Sequence, residues 1–342
     1  MNAIVESQDS TSAFRSKGAS ISVSQRFLLL LKREFWEHRG GFLWAPLVTG
    51  AIAILFSLFG AIAGSLMFDG RNMRVNDLSF NGAGGVEAVR HAVGFAGDIA
   101  LLVGVGITTS VLVFVVFFYA LGSLYDERKD RSVLFWKSLP VSDAETVLSK
   151  ATWALLLAPA LAVVIGLIVG VTLWLITAGM MLVNGIPGAE AVFSRSHPFR
   201  VITHVLSTIP IYVLWALPTV GWLMLCSAWA RSKPFLWAVL LPFLGAILIS
   251  WMGGVTGLAV PYGSVWYTLV VRGLLSIAPG TWYFNHEASP QRLNGPTDLA
   301  NAIDFSSTWQ VLGTLDLWIG AAIGAAMIYA AIWLRRHREL AD

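Results

Sequence analysis

Apolar positions in this chain neither alternate nor recur on one helical face; they run unbroken over long stretches. Charge-free apolar runs cover residues 42–68, 99–125, 152–183, 205–230 and 234–258, and a sixth, 311–334, contains one acid, Asp316. A helix rises about 1.5 Å per residue, so roughly 20 such residues cross the hydrocarbon core of a bilayer. The pattern predicts an all-α integral membrane protein with six transmembrane helices. The run at 152–183 exceeds what a crossing needs and is expected to tilt or to project from the bilayer.

The polar positions orient these spans. Sixteen Lys and Arg fall in the N-terminal segment, the loop after the second span, the turn holding Arg231 and Lys233, and the C-terminal segment. Seven fall in the alternate loops: Arg71, Arg74, Arg90, Arg195, Arg200, Arg272 and Arg292. The positive-inside rule then puts both termini of a multi-pass chain in the cytoplasm. Composition agrees, since 13% of the 342 residues are charged and 56% hydrophobic, whereas a soluble domain carries about 25% charge. The net charge of +3 follows from this topology, so membrane lipid is the expected environment and no nucleic acid is expected as a partner. Cys226 is the only cysteine, which rules out an intrachain disulfide.

Residues 1–20 are rich in Ser and small polar residues and read as a disordered cytoplasmic tail, with 21–342 as a single membrane domain. Glu6 and Asp9 precede the first apolar run, so no cleavable signal is expected and the first span stays. Within 21–41 the sequence SQRFLLLLKREFWEHRGG predicts an amphipathic helix at the inner surface, with Phe27, Leu28, Leu31 and Phe35 on its apolar face and Gly40-Gly41 as its stop. It serves either as an interfacial anchor or as a lever to a cytoplasmic partner. Residues 259–310 form a long outer loop, and the apolar stretch 265–277 inside it, interrupted by Arg272, is too short to span. It reads as a re-entrant or interfacial element before the last span.

The loop 122–145 carries the strongest functional signal. It is densely charged from Asp126 through Glu127 and Arg128 to Arg131, then presents Val133, Leu134, Phe135 and Trp136 in a row, then breaks at Leu139-Pro140. Consecutive bulky apolar residues in a short loop call for a cover, either a partner or the bilayer surface. Ser142-Asp143-Ala144-Glu145 fits a capping box, so the third helix is expected to start near Ser142.

The segment FYALGSLYDERKDRSVLFWKSLPVSDAETVLSK resembles the first intracellular loop of type-2 ATP-binding-cassette permeases, and the six-span plan resembles that family over essentially the whole chain. The resemblance implies that Asp126, Glu127, Arg128, Arg131, Leu134, Phe135, Trp136 and Leu139 belong to a cytoplasmic coupling helix, and that Phe27, Leu31 and Phe35 belong to a connecting helix. It implies a transport subunit, not an enzyme, that exports an amphipathic or hydrophobic substrate. A separate ATPase subunit would bind ATP and Mg, because this chain has no G-x-x-x-x-G-K-[ST] loop to hold them. A second permease copy, as a homodimer, is also implied.

Other chemistry is weakly signalled. The six histidines are scattered, with no metal-ligand spacing, so no metal or cofactor is expected on this chain. Asp316 lies nineteen residues before Arg335, about 28 Å of helix, which puts it at the outer interface, capping its helix or pairing with an outer-loop arginine. Trp44, Trp153, Trp237, Trp318 and Trp333 fit interfacial belts, while Trp174, Trp215 and Trp222 lie deeper as candidates to line a substrate path. Gly60-x-x-x-Gly64, Gly166-x-x-x-Gly170, Gly253-x-x-x-Gly257 and Gly320-x-x-x-Gly324 are candidate packing faces. A membrane-embedded enzyme remains the alternative, with Asp69, His91, His286 and Asp304 dispersed over the loops, as does an ion-coupled secondary transporter, which lacks intramembrane charge.

Overall fold

A computed structural model describes residues 22–67, 83–132, 138, 141–186, 188–257, 261–284 and 305–338. These residues are helical, with no strand among them. Six helices are long and apolar enough to cross a membrane, as the hydrophobic runs predict.

Helix α1 (Val23–Arg39) begins at Ser22 with a reciprocal capping box to Gln25. It does not stop at Gly40-Gly41. The backbone kinks at His38 (φ −110°, ψ 16°), passes through a π-helical turn, Gly40–Trp44, and continues as α2 (Ala45–Met67). Gly41 serves close approach instead, since a Cβ there would lie 2.8 Å from Val115 Cγ1. Helix α3 (Ala83–Gly122) extends well outside the apolar run that announced it. After the short α4 (Tyr125–Lys129), α5 (Asp143–Thr152) starts at the predicted cap: Ser142 Oγ accepts from Glu145 N, and Glu145 reaches back to Ser142 N. A π-turn, Trp153–Leu157, leads into α6 (Ala158–Val183).

Two short helices, α7 (Ala191–Ser194) and α8 (Pro198–Ser207), precede α9 (Ile209–Trp229). Helix α10 (Pro234–Thr256) follows, and then the chain folds back. Helix α11 (Tyr262–Trp266) and a π-helical stretch, Tyr267–Leu275, run antiparallel beside α10. Trp266 Nε1 donates to Ser250 Oγ at 3.2 Å, and Leu269 lies 3.6 Å from the Cβ position of Gly245, so the segment reaches about halfway down α10. Helix α12 (Phe305–Gln310) precedes the last helix, α13 (Leu315–Arg338).

Two tight helix pairs organise the bundle, α3 against α6 and α9 against α13, with α2 packed on the first pair and α3 touching α9. In lipid the hydrophobic effect does not draw helices together, so close backbone approach must do so. A Cβ at Gly104 would overlap the backbone of Gly170, and one at Gly324 would overlap Leu217. Two of the four glycine pairs, 166/170 and 320/324, are therefore packing faces within the chain. At Gly60 a Cβ would meet nothing within 4 Å. The largest core cluster gathers Phe42, Tyr119, Trp153, Trp215 and Leu223, so residues from several helices close over one seam.

Candidate functional site: a buried charge cluster at the predicted cytoplasmic end

The charged residues near the helix ends meet in one network. Glu34 on α1 is 1% exposed. Its carboxylate accepts from Lys150 Nζ at 2.8 Å and from the Tyr119 hydroxyl at 2.9 Å. Lys150, 2% exposed, also faces Glu127 Oε1 at 3.1 Å. Glu127 in turn accepts from Arg335 Nη1 at 2.7 Å and lies 3.6 Å from Arg33 Nη2. Arg335 Nε donates to Asp143 at 3.1 Å, and Arg26 pairs with Glu145 at 3.6 Å. The start of the protein, the loop after the second span, the base of the third and the end of the last are thus joined by charge.

Local sequence explains how each group arrives. On α1 the buried and half-buried positions are Arg26, Phe27, Leu30, Leu31, Arg33, Glu34, Phe35 and His38, and those other than the two arginines form a helical stripe at spacings of three and four. Glu34 is an acid placed on that apolar stripe. Leu28, expected on the same face, is 63% exposed. Opposite the stripe, α5 buries Thr146, Val147, Ser149, Lys150 and Ala151. Trp153, expected in an interfacial belt, is buried in this seam: its Nε1 donates to Leu31 O at 2.7 Å, and its ring stacks on Phe35 and Phe42 at 5.5 and 5.0 Å.

The remaining loop residues divide by role. Leu124 N and Tyr125 N both donate to Ser227 Oγ, at 3.0 and 2.9 Å, which fixes the bend between α3 and α4 against α9. Arg128 turns the same way and donates to the carbonyls of Ser227 and Ala230. Asp126 and Arg131 are exposed, and Arg131 takes a left-handed φ of 56°. Leu134, Phe135, Trp136 and Leu139 lie outside the described residues.

Two carboxyls at this end are held in their ionised form. Glu127 and Glu145 both lie beyond the apolar runs. Burial pushes the Glu127 carboxyl up, but Lys150 and Arg335 outweigh it and hold the group below its ordinary value. For Glu145 the Ser142 amide and hydroxyl do the same. A depressed folded-state pKa contributes stability above the unfolded value, and that contribution is lost as pH falls through the folded value. In detergent, the difference in melting temperature between the wild type and Glu127→Gln should therefore shrink on acidification below about pH 4. A difference that stays constant down to the acid limit would contradict the assignment.

At the opposite end, Arg272 makes the second buried charged site. It is 4% exposed, sits 3.7 Å over the Trp215 ring, donates to Ser276 Oγ at 3.1 Å, and places Nε 3.6 Å from Asp316. Tyr267 donates to the other Asp316 oxygen at 2.9 Å. Asp316 thus pairs with a loop arginine in the first turn of α13, as its position in the sequence suggested. The three deeper tryptophans do not converge within one chain. Trp174 donates to Ser196, Trp215 to Thr281, and Trp222 to the Ala238 carbonyl.

Among the described residues no group of His, Cys, Asp or Glu is arranged to hold a metal ion. Sequence reasoning missed Glu34, Lys150 and Arg335 as one site. Each carried a faint signal, being a charge in register with the apolar face of its own helix. The chain matches no protein-family model, no curated protein and no solved structure.

Proposed function

We propose that the chain is the permease subunit of a type-2 ATP-binding-cassette exporter, set in a bacterial inner membrane with both termini cytoplasmic. In this reading α1 is the connecting helix, the segment from Asp126 to Leu139 contains the coupling helix, and the fold-back at Tyr262–Leu275 is the re-entrant outer element. Two copies form the path, and ATP and Mg are held by a separate cytoplasmic subunit. The cargo is amphipathic or hydrophobic.

The observation that carries the reading is the continuity of the charge cluster. A partner that moves the coupling segment must move the membrane helices with it, and a loop that merely tethered two spans would absorb the motion. Here Glu127 sits four residues before Arg131 and is tied to α1, α5 and α13 at distances of 2.7–3.6 Å. Force applied to the loop therefore reaches three helices at once. Burying charge in such a cluster adds little net stability compared with apolar packing, so the cluster fits a mechanical use better than a stabilising one.

The test is co-purification from the native membrane in mild detergent. The tagged chain should bring down an ATPase carrying a phosphate loop, and polar replacement of Leu134, Phe135 and Trp136 together should abolish recovery and stimulated ATP hydrolysis. Isolation of the chain alone, under conditions that preserve known membrane complexes, would remove the reading.

A further inference from the structure

Beside the charge cluster a cleft of about 570 Å³ opens between the kink of α1, the end of α3 and the short α4. That volume suits a small-molecule site. Its lining changes character along its length. Phe114, Val115 and Phe118 belong to the apolar run of the second span, and Phe114 and Phe118 are 67% and 58% exposed. Asp126 and Asp130 line the other end, beyond the end of that run. Between them α3 descends from Phe114 to Gly122, about 12 Å at 1.5 Å per residue. The wall across from α3 is bare at Gly40, where a Cβ would meet nothing within 4 Å.

The charges in the lining are not equivalent. Lys150 and Arg335 answer Glu127, and Arg33 answers Glu37 at 3.1 Å. Asp126 and Asp130 are exposed, and among the described residues neither has a cation within ion-pair distance. Arg128, the base nearest Asp126 in sequence, is committed to the carbonyls of Ser227 and Ala230, while Lys129 and Arg131, which flank Asp130, are exposed and form no ion pair with it. The cleft therefore offers an aromatic wall at bilayer depth and, at the aqueous surface, two carboxylates that no described residue answers.

We propose that this cleft receives a cationic amphiphile from the inner leaflet, its ammonium head at Asp126 and Asp130 and its tail along Phe114 and Phe118. Calling the ligand a cargo rests on the transporter reading, but its binding does not.

The experiment uses the full chain in nanodiscs of zwitterionic lipid, with empty nanodiscs as the blank. Two fluorescent probes are titrated, one with a quaternary-ammonium head on a dodecyl chain and one with a sulfate head on the same chain. Saturable binding of the ammonium probe is expected. The variant carrying both Asp126→Asn and Asp130→Asn should bind it about tenfold more weakly, the loss of one good charge contact or more. Both positions are at the surface, so an unchanged melting temperature checks that the variant is folded. Equal affinity for the two heads would show a generic acyl groove and overturn the proposal, as would an unchanged affinity in the double variant. If ammonium binding holds but no ATPase co-purifies, the site stands and the transporter reading falls. If the ATPase co-purifies and ammonium binding is absent, the cleft proposal alone falls.

Discussion

Replacing Lys150 by Met should cost about 3–5 kcal/mol of unfolding free energy, the usual loss when one partner of a buried ion pair is removed. The magnitude follows from what is left behind. Glu34 and Glu127 both lean on this ammonium, at 2.8 and 3.1 Å, and Glu34 is 1% exposed. Without Lys150, Glu34 keeps only the Tyr119 hydroxyl and the edge of His38, whose Nδ1 is 3.8 Å away. The measurement is an unfolding titration in mild detergent, run beside Glu34→Gln and the double variant. Because both changes act on one pair, the double variant should be much less destabilised than the sum of the two. Additive losses, or a loss under about 1 kcal/mol for Lys150→Met, would mean that the two charges do not depend on each other.

Arg272→Met should be the next most damaging change, at about 3 kcal/mol, toward the low end for a buried pair. The guanidinium is 4% exposed and covers the Trp215 ring, but the acid it deserts is better placed than Glu34. Asp316 is about a third exposed, keeps the Tyr267 hydroxyl, and sits in the first turn of α13, where the helix dipole favours a negative charge. The change should also be local. Amide exchange should rise in 262–275 and the fluorescence of Trp215 should shift, while exchange around Glu34 and Lys150 stays as in the wild type. Unchanged exchange in 262–275 would show that Arg272 does not hold the fold-back segment in place.

The two sites lie at opposite ends of α13. Asp316 occupies its first turn and Arg335 one of its last, and between them Gly324 presses on Leu217 and Pro218 of α9. Backbone contact leaves no side chains to rearrange, so α9 and α13 form a stiff pair joining the two ends. This arrangement suits the proposed mechanism, in which force enters at one end of the bundle and opens a path at the other.

Much of the architecture was legible along the chain because it depends on local or one-dimensional properties. A span is a run of apolar residues of sufficient length, and all six could be counted. The cap at Ser142 needs only Glu145, three residues away, and it forms as expected. The amphipathic character of α1 was likewise visible, although the position of its face was not, since Leu28 points outward and Glu34 inward. The Gly40-Gly41 pair misled for a related reason. Glycine ends helices that stop in water, but here the chain continues into an apolar run, and the missing side chain of Gly41 accommodates Val115 instead.

The sequence alone determined that the chain is helical, that six of its helices are long and apolar enough to cross a membrane, and where one helix starts. It left unspecified which charges are buried. Glu34 and Lys150 are 116 positions apart, and Glu127 and Arg335 are 208 apart, so no local pattern announces either pair. Whether a carboxylate faces water or an ammonium is decided by what packs over it, and that comes from distant helices. Tertiary packing alone turned scattered charges at the helix ends into one buried network, drew Trp153 out of the expected belt into the seam, and left Asp126 and Asp130 at the mouth of a cleft with no counter-charge among the described residues.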